Sequence, residues 1–209
     1  MNGINFIKMV TLILISILGG TVLKKGLYVF LICIALFVVA GCTVEKGEKG
    51  QLDDAIETSG IAPIEVEMIN REGEVTGKAF ISETEKEVKI DLKMEGLTPG
   101  TKAIHIHETG LCEVPDFTSA GAHFNPKKRK HGFDNPEGFH AGDLLNIEVD
   151  ENGKVNAEIL APNVTLAEGE NSLLDSDGSA LVIHENADDY KTDPAGNAGD
   201  RIVCGVIKK

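Results

Sequence analysis

From Ile64 onward the chain alternates apolar and polar residues in short bursts, and few folds accept that rhythm. Ile64-Glu65-Val66-Glu67-Met68 and Val88-Lys89-Ile90-Asp91-Leu92 repeat with a period of two. That period puts the apolar side chains on one face of a strand. Further strands are predicted at 76–82, 103–108, 145–149, 155–160, 180–184 and 202–207, which makes eight. Asn70-Arg71-Glu72-Gly73 and Asp150-Glu151-Asn152-Gly153 carry the Gly and Asn residues that hairpin turns with positive φ require. No long amphipathic helix pattern intervenes. The expectation is an all-β domain, an antiparallel sandwich or barrel. Two connections, about 109–143 and 185–200, are long enough to be functional loops.

The first 41 residues follow different rules. They hold Lys8, Lys24 and Lys25, no acidic residue, and two apolar runs. Leu27–Val39 follows the lysine pair and ends in Val39-Ala40-Gly41-Cys42, the pattern of a secretory signal with a small-residue cleavage point. A cysteine directly after Val-Ala-Gly resembles the lipobox of bacterial lipoproteins, which implies lipidation at Cys42. The alternative is an uncleaved anchor, for which the run is short. The earlier run Met9–Leu18 is surplus to one signal, so translation is expected to start near Val22. Residues 42–60 are polar and read as a lipidated cysteine and tether, which leaves 61–209 as one domain. The expected location is the outer face of the bacterial cell membrane. Loss of three lysines takes the formal charge from −13 to −16, which argues against nucleic-acid binding. Cys33 lies in the apolar run. Cys112 and Cys204 then remain as an even pair in an exported domain, which predicts a disulfide, with two buried thiols as the alternative.

The six histidines of the chain all lie between His105 and His184. His105 and His107 are two apart on a predicted strand, so their imidazoles share a face. His123, His131 and His140 fall in the following loop with Asp143 three residues later, a set that can close a zinc site. His184 ends a distant strand. Six histidines and one aspartate are seven ligands, and two four-coordinate sites need eight. The count balances if one imidazole serves two metals through its two nitrogens. Taken singly, a His-x-His pair is often a solvated strand face, and a loop beside Lys127-Lys128-Arg129-Lys130 is often plain surface.

These segments resemble the Cu,Zn superoxide dismutase family: His105-Ile106-His107-Glu108, Ser119 to Pro126, Lys130-His131-Gly132, His140 to Leu144, His184 to Asp189, and Gly196 to Arg201 through Cys204-Gly205-Val206. The resemblance spans about 62–208. It implies an eight-stranded Greek-key fold and disproportionation of superoxide to oxygen and hydrogen peroxide by copper redox cycling, with zinc structural. It assigns copper to His105, His107, His123 and His184, and zinc to His123, His131, His140 and Asp143. His123 is then the bridge and a proton carrier. Arg201 receives the superoxide anion, Asp188 links a copper-ligand histidine to a zinc-ligand histidine, and Cys112 and Cys204 form the family disulfide. Lys127–Lys130 and Lys191 are candidates for a cationic rim, against a bland role in solubility.

Departures from the animal members are a shorter 189–196 loop, Ala195 in place of a channel threonine, and Phe117 where those members carry the disulfide cysteine. One alternative is a metal-binding domain without turnover that stores or delivers copper. Another is a structural surface lipoprotein. The chain is expected to be a monomer or homodimer, and the Asn163-Val164-Thr165 sequon is expected to stay bare.

Overall fold

The structure, a computed structural model, describes residues 62–209. The signal segment, Cys42 and the 42–60 tether lie outside the described residues. Within them are nine strands and one short 3₁₀ turn. The strands are β1 (Ile64–Asn70), β2 (Val75–Glu83), β3 (Val88–Met94), β4 (Gly100–Lys102), β5 (Ile104–His107), β6 (Ile147–Val149), β7 (Val155–Ala161), β8 (Ser179–His184) and β9 (Arg201–Ile207). Eight correspond to the strands predicted from alternation. The extra one, β4, has three residues, too few for a period to show, and it pairs with β6.

Seven strands form one antiparallel sheet in the order β5-β8-β9-β1-β2-β3-β7, and β4-β6 forms a second. The alternating residues meet on the inner side. Val66 and Met68 of β1, Ala79 and Ile81 of β2, Ile90 and Leu92 of β3, and Ile104 and Ile106 of β5 all enter one core. At about 25 cal/mol per Å² of apolar surface, this burial is the main favourable contribution to the fold.

β5 and β8 break the one-sided pattern, because every residue in them is buried. On β5, Ile104 and Ile106 face the core while His105 and His107 face away from it. A second cluster, made of Phe117, Ala120, Ala180, Val182 and Cys204, covers the outer face of β8 and β9. Part of that cover is the long connection between β5 and β6. Cys112 in this connection is bonded to Cys204 in β9, with Cα atoms 5.7 Å apart. This is the disulfide expected from the sequence.

Candidate metal centre

The β5–β6 connection folds back along β5 and behaves almost as a strand. Phe124 donates its amide to the Ile106 carbonyl (2.8 Å), Ile106 donates to Gly142 (2.9 Å), and Gly142 donates to Phe124 (2.8 Å). Single bridges join His107 to His123 and His105 to Asp143. A side chain on Gly142 would run into the Ile106 carbonyl, so only glycine lets the two segments lie this close. Four residues separated by up to 38 positions thus arrive beside one another. β8 is the hydrogen-bonded neighbour of β5 and brings in His184, paired with Arg201 across an irregularity in the β8–β9 ladder.

The result is two adjoining four-ligand clusters. His105, His107, His123 and His184 each offer one nitrogen, all within 4.8 Å of one another. His123, His131, His140 and Asp143 offer a second such set. His123 belongs to both. All seven residues are buried.

Each ring on the first side has one nitrogen already used. His105 Nε2 lies 2.8 Å from Asp188 Oδ2. His107 Nδ1 lies 3.0 Å from the Gly121 carbonyl. His184 Nδ1 lies 3.3 Å from the Gly199 carbonyl. His123 Nδ1 faces Asp143 Oδ1 at 2.9 Å. The nitrogens left over are His105 Nδ1 and the Nε2 atoms of His107, His123 and His184. All four are buried and lack a hydrogen-bond partner. A buried polar atom without a partner costs about 1–3 kcal/mol. Four converging imidazole nitrogens are a donor set that fits copper or zinc.

On the other side Asp143 Oδ1 lies 2.9 Å from His123 Nδ1, 3.1 Å from His131 Nδ1 and 3.1 Å from His140 Nδ1. His140 Nδ1 and His123 Nδ1 are 3.3 Å apart. A tetrahedron with bonds of about 2.0–2.1 Å has edges of about 3.3 Å. These edges therefore fit zinc with little adjustment. Asp143 Oδ2 accepts the amides of Gly132 (2.9 Å) and His140 (3.0 Å), which aims its other oxygen at the three rings.

Asp188 joins the clusters from outside, with Oδ2 on His105 and Oδ1 3.0 Å from His131 Nε2. It is itself held by the Tyr190 amide (2.6 Å), and its own amide donates to Asn146 Oδ1 (2.9 Å). A side chain at Gly196, whose φ is +63°, would collide with the Asp188 carboxylate. Asp193 accepts the His131 amide at 2.8 Å and pairs with Lys130 at 3.1 Å. Sequence reasoning missed Asn146, Tyr190 and Asp193. Asn146 and Tyr190 hold Asp188, and Asp193 holds His131, each through a backbone amide, and no side-chain pattern announces that.

The electrostatics of the first cluster suit metal binding. Burial, opposed in part by Asp143, takes His123 down to about 4. Burial and the neighbouring His105 take His184 to about 3. Burial also lowers His105 and holds His107 well below its ordinary value. These four rings are neutral at pH 7, the form that binds metal. Burial opposes the charge of His131, but hydrogen bonds to Asp143 and Asp188 outweigh it and push the ring up to about 9. Burial likewise opposes the charges of Asp143 and Asp188, yet their histidine partners hold both carboxyls well below the usual range.

Arg201 is half-buried. Its Nη1 donates to the Phe117 carbonyl and its Nη2 to the Gly121 carbonyl, both at 2.7 Å. Gly121 O also meets His107 Nδ1, so one carbonyl ties the arginine to the first cluster. Phe117 is fully buried and adopts φ 55°, filling the cluster around the disulfide. Lys127–Lys130 are exposed and line a groove with Pro136, Glu137 and Glu170.

Comparison with known proteins agrees with this geometry. Residues 75–207 match the family model for copper/zinc superoxide dismutase. A Cu-Zn superoxide dismutase of Aquifex aeolicus is 57% identical over 144 residues, which cover 68% of this chain and 84% of that one. A superoxide dismutase-like protein of Bacillus subtilis is 45% identical over 176 residues, covering 81% and 89%. The crystal structure of a SOD-like protein from Bacillus subtilis aligns with a TM-score of 0.68 at 46% identity, covering 70% of this chain and 99% of that one. Cu/Zn superoxide dismutase from Brucella abortus aligns at 0.58 with 29% identity, covering 70% and 99%. With two histidine clusters sharing one ring, a matching fold and this degree of identity, the chain belongs to the copper/zinc superoxide dismutase family.

Proposed function

We propose that the two clusters divide the metals of this superoxide dismutase, with copper at His105, His107, His123 and His184 and zinc at His123, His131, His140 and Asp143. The observation that carries the assignment is the set of four unpartnered buried nitrogens on the first side, against the set of three imidazoles and one carboxylate on the second. A carboxylate oxygen with three imidazoles suits zinc, and four imidazoles suit copper. Copper, when bound, supplies the one-electron couple that oxidises one superoxide to oxygen and reduces another, while redox-inert zinc supplies fixed charge.

The chain's own residues do the rest. Arg201 offers a cation whose hydrogen-bond partners are two neutral carbonyls, with the exposed Asp116 carboxylate acting on it only through space, so its charge stays available to an incoming anion. His123 has Nδ1 fixed against Asp143, which leaves Nε2 free to hold a proton on the copper side and release it to the peroxide product. Overall, two superoxide anions and two protons give one oxygen and one hydrogen peroxide. Asp188 keeps the rings of His105 and His131 in register, so loss of order at one cluster is felt at the other.

The test is metal analysis of the purified domain beside a superoxide-decay assay, with and without added copper. His184→Ala should abolish copper binding and activity and keep zinc. Asp143→Ala should lose zinc first. If His184→Ala retained copper at parental stoichiometry, the assignment would be wrong.

The cellular location rests on residues 1–60. The Lys24-Lys25 pair, the apolar run and Val39-Ala40-Gly41-Cys42 support export, cleavage and a lipid anchor on the outer face of the membrane. Labelled palmitate should enter the protein, and Cys42→Ala should abolish the labelling. Labelling that survived the substitution would exclude Cys42 as the anchor.

A further inference from the structure

The β1–β2 turn carries an arginine that reaches the active-site arginine from behind. Asn70 Oδ1 accepts the amides of Glu72 (3.1 Å) and Glu74 (2.8 Å), and the Gly73 amide donates to the Asn70 carbonyl. These bonds make the turn a fixed platform. From it, Arg71 Nε donates to the Arg201 carbonyl at 2.8 Å, across 130 residues of sequence. Arg71 Nη2 also pairs with Asp200 Oδ2 at 3.0 Å. Arg201 is the first residue of β9, where the long β8–β9 connection ends. The β1–β9 ladder pairs only Ile69 with Cys204 and Asn70 with Val203, so it stops short of Arg201.

We propose that Arg71 is a positioning residue for the anion-receiving Arg201, acting through the Arg201 carbonyl. The guanidinium of Arg201 is fixed at its far end by Phe117 and Gly121. Its main chain is fixed at the near end by Arg71. Fixing both ends of a long side chain removes the rotamer freedom that would otherwise be lost each time an anion binds. The pairing with Asp200 adds a second effect. It balances a carboxylate that stands one residue from Arg201 and would repel superoxide. The inference rests on the reading of Arg201 as the anion site.

The experiment compares Arg71→Ala, Asp200→Asn and Arg201→Ala in the full metal-loaded protein. Readouts are kcat/KM, azide affinity from the visible spectrum of the copper-loaded protein, metal content, and the melting temperature of the metal-free protein. Arg71→Ala should lower kcat/KM and weaken azide binding by about three- to tenfold, the range for one lost hydrogen bond. Metal content should be unchanged, and melting should move by less than about 4 °C, as for a surface ion pair. Asp200→Asn leaves the carbonyl bond and should stay within about twofold on both measures. If Arg71→Ala changes either measure by less than twofold while Arg201→Ala lowers both, the inference fails and the anion site stands. If Asp200→Asn matches the loss in Arg71→Ala, the carbonyl bond is not the cause. If Arg201→Ala itself leaves both measures unchanged, the anion site is wrong. Should the alanine variant fail to accumulate, Arg71→Met, which keeps the aliphatic stem and lacks the donor, carries the same test.

Discussion

Replacing Cys112 and Cys204 together by alanine tests whether the disulfide serves the fold alone or also the active site. Alanine is preferred to serine because Cys204 is fully buried and a hydroxyl there would lack a partner. The bond closes a loop of 92 residues. On the loop-entropy account, that closure removes about 5 kcal/mol of freedom from the unfolded chain, and loss of a native disulfide costs about 2–5 kcal/mol in practice. One kcal/mol shifts melting by about 2–4 °C in a domain of this size. The metal-free double variant should therefore melt about 5–20 °C below the parent in a calorimetric scan. The second effect is on catalysis. Cys112 tethers the segment whose Phe117 and Gly121 carbonyls hold the Arg201 guanidinium. Cys204 lies three residues beyond Arg201 on β9. The variant should lose activity even at 25 °C, well below its melting point, with copper still bound. A melting shift under about 3 °C would refute the entropic estimate. Full activity in a destabilised variant would refute the link to Arg201.

Three further outcomes are expected. Arg201→Ala should lower kcat/KM by about 10- to 100-fold, the range for one lost bond to a charged group, with copper content intact; loss of copper instead would make Arg201 structural. Asp143→Ala removes a carboxylate that accepts the Gly132 and His140 amides and meets three rings. It should lower metal-free stability by about 3–6 kcal/mol from those two amide bonds, and denaturant unfolding at parental midpoint would contradict this. The metal-free domain should be most stable near pH 6–7. His123 and His184 bind protons less readily folded than unfolded, so their contribution fades as pH falls from 6.5 toward 4 and 3. The shift of His123 alone is worth about 3 kcal/mol. His131 is raised, so its contribution is full below 6.5 and lost as pH climbs through about 9. Denaturant titrations at pH 4.5, 6.5 and 9.5 check this, and a flat profile would refute it.

Most of the strands were legible because each faces a core on one side and solvent on the other, which writes a period of two into the sequence. β1, β3 and β7 show this plainly. β4 was illegible because a three-residue strand has no period. The two candidate clusters were legible because His105 and His107 must share a strand face, and because imidazole and carboxylate side chains leave a chemical record. Arg71 was not. In the sequence it is a polar residue in a turn, and its partner is a carbonyl, which every residue possesses. Asn146, Tyr190 and Asp193 were hidden for the same reason.

Alternation, turn residues and ligand chemistry are local properties, and local properties sufficed for an all-β domain with seven candidate metal ligands. Which ring nitrogen faces which cluster, and which residues hold Arg201 from either end, are matters of distance between segments as many as 130 residues apart. Those distances are settled only when the sheet curls, the disulfide loop closes over β8 and β9, and buried carbonyls and amides find partners across the fold. Backbone groups are the same at every position, so only the folded chain decides which of them meet.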